Sequence, residues 1–396
     1  MEALKRFFLL SVSVFALSTL ASPKVAYAEG AETVPERVFS TSPRKNNGRA
    51  WRIGYYEGGF HGNYERYLRA TVAGLMKLGW IKDADLPELK GRDTFPIWQW
   101  LAQNIKSEYV EFVEDAYYTA NWDDAERQAK RSALVGRLKK DRDIDLIIAM
   151  GTWAGKDLAS NDHSTPTIVM SSSDPVGSGI IASAGDSGFD HLHARVDPKR
   201  YERQVRVFHD VINFKRLGVA YEDSVVGKSY AAIDVVERVA AERGFEVVHC
   251  HTQSDIADQQ LAGQSVVKCF EQLSRTVDAI YVTVQGGVNA ETIPKLVKLA
   301  NNHRIPTFSQ LGSSEVKHGF LLSISRAGGF KPVGRFLAAT VAKVFNHARP
   351  RELNQVFEDA PNIAINLKTA ELVGLYLYAH VLAAADEIYR DISVPR

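Results

Sequence analysis

From residue 51 onward the chain repeats one pattern. A short run rich in Val, Ile and aromatic residues gives way to a longer stretch with apolar residues three and four apart. The first rhythm is that of strands and the second that of amphipathic helices. WRIGYY (51–56) predicts a strand and YERYLRATVAGLMKLG a helix near 62–78. YVEFVED (109–115) and the helix of WDDAERQAKRSALVGRLKK come next, then DLIIAMG (145–151) and PTIVMS (166–171). The continuous apolar run of DLIIAMG suits a strand covered on both faces. After a Ser/Gly-rich segment, SSSDPVGSG, the rhythm restarts with a helix near 198–212 and RLGVAY (216–221). SYAAIDVVERVAAERG, QQLAGQSVVKCFEQLS and TIPKLVKLANNH predict helices between the strands FEVVHC, DAIYVTV (278–284) and IPTFSQ (305–310). GFLLSIS (319–325) is a strand and VGRFLAATVAKVFNH a helix, and IAINLKT and the apolar stripe ELVGLYLYAHVLAAADEIYR close the chain. Strand–helix alternation on this scale predicts an α/β protein of two doubly wound parallel-sheet lobes. The segment 81–108, with Pro87, Pro96 and WQWL, is longer than a simple connection and marks an insertion.

The first residues follow another rule. Lys5 and Arg6 precede the apolar stretch 7–21, and Ala26-Tyr27-Ala28 supplies small residues at a cleavage position, the pattern of a secretory signal peptide cut near Ala28. No cysteine lies near that point for lipid attachment. Residues 29–48 are polar and aperiodic, which predicts a flexible lead. Without residues 1–28 the basic and acidic residues nearly balance, at one net negative charge. That balance gives no reason to expect nucleic acid or an anionic membrane as a partner. Export would expose Cys250 and Cys269 to an oxidising compartment, where they either pair or stay as two buried thiols.

Motifs for chemistry are scarce. EGGFHG (57–62) follows a strand but lacks the spacing of a dinucleotide fingerprint. GTWAGKD (151–157) is one residue short of a phosphate loop, with Asp157 where a hydroxyl is needed, and no G-x-S-x-G elbow occurs. His249-Cys250-His251 alternates faces along a strand, so its ligands diverge, and His191 and His193 fall in a predicted surface loop. No catalytic residue, metal site or cofactor is therefore assigned. What recurs is a set of polar and aromatic residues at and just past strand ends. Tyr55, Tyr56 and Glu57 end the first strand, Thr152 and Trp153 follow the third, and Ser171, Ser172, Ser173 and Asp174 follow the fourth. In the second half Tyr221, Glu222, Gln285 and Gln310 hold equivalent places. Such residues at the carboxyl edges of two sheets suit a small-molecule cleft.

Several stretches resemble one family. IGYYEGGFHGNYERYLRATVAGLMKLGW, DLIIAMGTWAGKDL, PTIVMSSSDPVGSGII, VDAIYVTVQGGVNAETIPKLVKLANNHRIPTFSQ and INLKTAELVGL are similar to ABC-transporter solute-binding proteins of the tryptophan/tyrosine type. The resemblance implies a type I periplasmic-binding fold with two lobes joined by three crossovers, near 174–175, 323–326 and 360. Lobe one would be 49–173 plus 326–360, and lobe two 174–325 plus 361–396. It further implies a periplasmic monomer that traps a small solute by hinge closure and delivers it to a membrane permease and ATPase. A sensor that presents the same cleft to a receptor kinase, and an exported hydrolase, are the competing readings. Family members often carry acidic residues where this chain has Gln285 and Gln310, so the partner for a ligand ammonium would have to be another acid, with Glu57 and Glu222 the candidates.

Overall fold

The computed structural model describes residues 38–395 except 89–92, 327–328 and 359. The signal-peptide segment and the start of the lead lie outside those residues. From Thr41 the lead is tied down rather than loose, since Trp80 and Trp51 donate their indole N–H groups to Thr41 and Arg44 carbonyls at 2.8 and 2.9 Å.

The first lobe starts with β1 (Trp51–Glu57), α1 (Tyr64–Lys77), α2 (Phe95–Asn104), β2 (Val110–Thr119) and α3 (Asp124–Lys140). It continues through β3 (Leu146–Met150), α4 (Gly151–Leu158), β4 (Thr167–Met170) and β5 (Leu192–Ala194). Its sheet has the order β2-β1-β3-β4-β5, all parallel. The second lobe holds α5 (Arg200–Ile212), β6 (Arg216–Tyr221), α6 (Val225–Ala231), α7 (Ile233–Arg243), β7 (Glu246–His251) and α8 (Gln259–Leu273). β8 (Ala279–Val282), α9 (Ile293–Asn302), β9 (Thr307–Ser309), α10 (Ser313–Lys317) and β10 (Leu322–Arg326) follow. α11 (Lys331–Phe345) then returns to the first lobe, where it packs on α1, before β11 (Pro361–Asn366), α12 (Leu367–Val373), α13 (Ala379–Ala383) and β12 (Glu387–Tyr389) complete the second sheet. That sheet is parallel except at the β10/β11 joint, which is antiparallel.

Both sheets are covered on two faces, as their unbroken apolar strands require. In the first lobe Trp51, Leu68, Leu146, Leu337 and Phe345 share one core, and Ile147, Leu134 and Leu158 fill the other face. The insertion contributes α2, whose buried Trp98 packs against Phe112 and donates to the Val113 carbonyl at 3.1 Å.

The lobe boundary differs from the expected one. β5 pairs with β4, so residues 174–194 stay with the first sheet instead of opening lobe two. The three-residue strand carries too little periodicity to be seen in sequence. The chain crosses after Val196, which bridges Val356 in parallel: Val196 N–H donates to Gln355 O at 2.8 Å and Phe357 N–H returns to Val196 O at 3.0 Å. Two crossovers therefore run side by side. Asp174-Pro175 is not a hinge but a capped turn, with Asp174 Oδ1 accepting from Val176 and Gly177 N–H at 3.1 and 2.9 Å. His191 and His193 are buried, not surface residues: β5 carries His193 inside, and His191, just before it, packs its ring against His163.

Cys250 and Cys269 form a disulfide that ties β7 to α8. His249 and His251 share the opposite face of β7, and both rings meet Tyr221 edge to face.

Candidate functional site

The carboxyl ends of the parallel strands in both sheets border one cavity of about 280 Å³, the position at which open α/β sheets bind ligands. Lobe one supplies Phe60, His61 and Tyr64 after β1, Trp122 after β2, Thr152 and Trp153 at the start of α4, and Ser171, Ser172 and Ser173 after β4. Lobe two faces them with Arg200 and Tyr201 of α5, Tyr230 of α6, Ser254 and Asp255 after β7, and Gln285, Gly286, Val288 and Asn289 after β8. Among the described residues, none of 81–108 reaches this wall.

The aromatic part of the wall is built on tight backbone. Trp122 sits at φ 58°, a left-handed conformation uncommon for a bulky residue. Its amide donates to Gly58 O at 2.8 Å and its indole N–H to Phe60 O at 2.9 Å, which hold it there. Its ring meets Trp153 edge to face, with centroids 5.3 Å apart at 83°, a favourable aromatic geometry. Gly58 and Gly59 make room for the pair. A Cβ on Gly58 would lie 2.7 Å from Trp153 Cβ, and one on Gly59 2.6 Å from Trp122 Cδ1. The glycine run that fails as a nucleotide motif is thus explained by close packing.

The polar part has two poles. Toward lobe one, Thr152 Oγ1 and Ser172 Oγ lie 3.3 Å apart at the start of α4, and Ser171 adopts φ 60°. These hydroxyls and the helix start favour an anionic group, and Arg66 and Arg200 also line the cavity. In lobe two Asp255 supplies a carboxylate. Its loop is held by Glu222, whose Oε2 accepts the Ser254 and Asp255 amides, each at 2.9 Å. Burial, with the Glu222 charge added, pushes the Asp255 carboxyl up to about 7. Burial and the Arg66 charge push His61 down to about 4, so its imidazole is neutral near pH 7. Among the described residues no group of three or more His, Cys, Asp or Glu is placed to hold a metal ion.

Six of the thirteen residues expected from sequence line the cavity: Thr152, Trp153, Ser171, Ser172, Ser173 and Gln285. Gln285 spends its amide internally, donating to Ala220 O and Thr283 Oγ1 and accepting from Thr252. The other seven lie off the wall. Tyr55 donates to Glu57 at 2.7 Å inside the core, and Tyr117 donates to the same carboxylate at 2.8 Å. Burial raises the Glu57 carboxyl to about 7. Tyr56 donates to Asp157 at 2.6 Å, and Tyr221 lies 3.1 Å from His249 Nδ1. Gln310 is scaffold, accepting from Val284 N–H and donating to Tyr230 O. Asp174 caps its turn, and Glu222 supports Asp255 from behind.

The physical reason is common to most of the misses. A side chain within a strand points into the layer between sheet and helices, and only residues past the strand end turn into the cleft. Phe60, just past the first strand, is the kind of residue that the strand-end pattern does point to, and it lines the cavity; His61, Tyr64, Trp122, Arg200, Tyr201, Tyr230 and Asp255 are not picked out by that pattern. NYER after the EGGFHG glycines was the available signal for part of this set; nothing in sequence marks Asp255.

A family model described as ABC transporter substrate binding protein matches residues 110–389. No protein with a curated description matches. Among solved structures, an ABC domain from Streptococcus pneumonia in complex with L-Trp is 19% identical, with a TM-score of 0.64 over 86% of this chain and 99% of that one. A conserved domain protein from Vibrio cholerae is also 19% identical, with a TM-score of 0.63 over 86% and 100%. The ligand-free, open structure of a substrate binding protein with adhesive properties from Clostridium difficile is again 19% identical, at 0.55 over 86% and 100%. The fold is that of type I periplasmic-binding proteins. With the two lobes, the cleft between their strand ends and a family match over well more than half its length, this chain belongs to the ABC transporter substrate binding protein family.

Proposed function

We propose that this chain captures an aromatic solute bearing an amine and a carboxylate, in the periplasm, and passes it to a membrane permease and its ATPase. Members of this family bind small solutes for such transporters. One observation carries the choice of solute: an indole pair on lobe one faces the cavity together with Asp255 of lobe two, the one carboxylate among the described lining residues. A flat ring packs against Trp122 and Trp153, an ammonium group pairs with Asp255, and the solute carboxylate takes the serine hydroxyls and arginines. Asp255 fills the role vacant at Gln285 and Gln310. Closure brings the lobes to one ligand, and the contacts made in the closed form stabilise it over the open one. Tyr201 Oη donating to Ser173 O and Ser229 Oγ donating to Asp174 O, both at 3.2 Å, already join the lobes across the cleft. We propose further that the working form is a monomer, with residues 1–28 removed on export; among the described residues no helix is long and apolar enough to cross a membrane.

The test is a thermal-shift series with L-tryptophan, L-tyrosine and L-phenylalanine. Indole-3-propionate, without the amine, and tryptamine, without the carboxylate, complete it. A ligand at a thousand times its dissociation constant adds about 4 kcal/mol, and about 2 °C or more accompanies each kcal/mol in domains of this size. A shift with an amino acid that is lost when either charged group is removed supports the reading. No shift with any aromatic amine overturns it.

A further inference from the structure

We propose that Arg127 is a positioning residue of the solute site, holding Trp153 as a fixed aromatic wall through a cation–π contact clamped by Asp157. The inference rests on the cleft being the solute site. Arg127 does not line the cavity itself. Its guanidinium carbon lies 4.3 Å from the centroid of the Trp153 ring, well inside the range of such contacts.

The guanidinium is fixed rather than merely near. Arg127 Nε donates to both Asp157 oxygens at 3.1 and 3.0 Å, and Nη2 donates to Oδ1 at 2.9 Å. Tyr56 Oη also donates to Oδ2 of the same carboxylate, at 2.6 Å. Asp157 and Trp153 are four residues apart on α4, so they share one face of that helix, and Arg127 reaches both from α3. A lysine in its place would satisfy the charge of Asp157 but not the fork or the flat stacking surface. The arrangement is therefore specific to arginine, and its product is the orientation of one indole in the cleft. A second consequence reaches across the cavity. The Arg127 charge favours the ionised form of Asp255, opposing burial and Glu222.

The decisive experiment combines two measurements. In ligand-free protein, a double-mutant cycle of Arg127→Met and Trp153→Leu reads their coupling in the urea unfolding equilibrium. The expected coupling is roughly three- to thirty-fold, the range of a partly desolvated cation–π contact. In the second arm, L-tryptophan titrations of wild type, Arg127→Met and Arg127→Lys are run across pH 5.5–8. Arg127→Met is expected to weaken binding about ten-fold and to move the midpoint of the pH profile upward, because Asp255 loses a favourable charge. Arg127→Lys restores the midpoint but not the full affinity. Absence of coupling overturns the proposal, and so does coupling with unchanged affinity and midpoint, which would make Arg127 a structural ion pair alone. If wild type binds no aromatic amine the solute assignment fails, while the ligand-free cycle still decides whether Arg127 holds Trp153.

Discussion

Asp255 makes affinity depend on pH in a direction fixed by its chemistry. In the free protein its carboxyl titrates at about 7, raised by burial and by Glu222. An ammonium ligand pairs with the ionised form, so affinity is full above pH 7 and falls as pH drops through it. If the protonated form contributes nothing, the apparent dissociation constant scales as one plus ten to the power of pKa minus pH. Between pH 8 and pH 5.5 that is a weakening of about 30-fold, or about 2 kcal/mol. Isothermal titration with L-tryptophan across this range measures it directly. Below pH 7 the binding heat should vary with the ionisation enthalpy of the buffer, since about one proton leaves Asp255 on binding. Asp255→Asn should bind weakly at every pH and lose the slope. A flat wild-type profile, or a slope that survives in Asp255→Asn, would refute the assignment of this carboxylate. The second outcome would point to Glu57, which also titrates at about 7 but lies off the cavity wall.

Three other outcomes are expected. Glu315 is buried beneath Ser309 with its carboxyl raised to about 7 from an ordinary 4.5. Its contribution is fully present below pH 4.5 and is lost as pH rises through 7, so Glu315→Gln should gain about 2 kcal/mol on wild type between pH 5.5 and 8.5 in paired urea melts. The Cys250–Cys269 bond spans 19 residues, so replacing both by serine should cost about 3 kcal/mol of stability in the chain-entropy account, and an unchanged denaturation midpoint would contradict it. Gly59→Ala places a Cβ 2.7 Å from the Trp122 backbone nitrogen as well as against its ring. L-tryptophan affinity should then drop about ten-fold or more while the melting temperature moves by a few degrees, as packing strain at a single site predicts.

The fold was legible because short apolar runs such as DLIIAMG and DAIYVTV suit covered strands, and most of the strands alternate with stretches of helical period. What escaped were elements too short to show a period. LHA of β5 and EIY of β12 hold three residues each, and the second is hidden within an apolar stripe. β2 runs on to Thr119, four residues past the expected end, and so delivers Trp122 to the cleft in a turn that its propensity disfavours. The site was half legible for a related reason. Residues beyond strand ends, such as Trp153 and Ser172, could be placed from the strand boundary alone. Tyr55 and Tyr56 looked suitable for the cleft by type, yet their direction was set by the pleat. Asp255 depends on a loop pinned by Glu222 from another strand, a long-range contact with no local pattern.

The return of α11 to the first lobe has a consequence for how the molecule comes into being. Trp51 stacks on Phe345 with centroids 4.7 Å apart, and Val333, Leu337 and Val341 of α11 fill the same core as Tyr67 and Leu75 of α1. A chain emerging N-terminus first lacks this helix until residues 200–326, the greater part of the second lobe, are already out. The first lobe must wait with an apolar face uncovered, and its closure joins segments more than 250 positions apart. Contacts that distant form slowly. Such delay makes the core of the first lobe a late part of the molecule to lock, after most of the second lobe has been made.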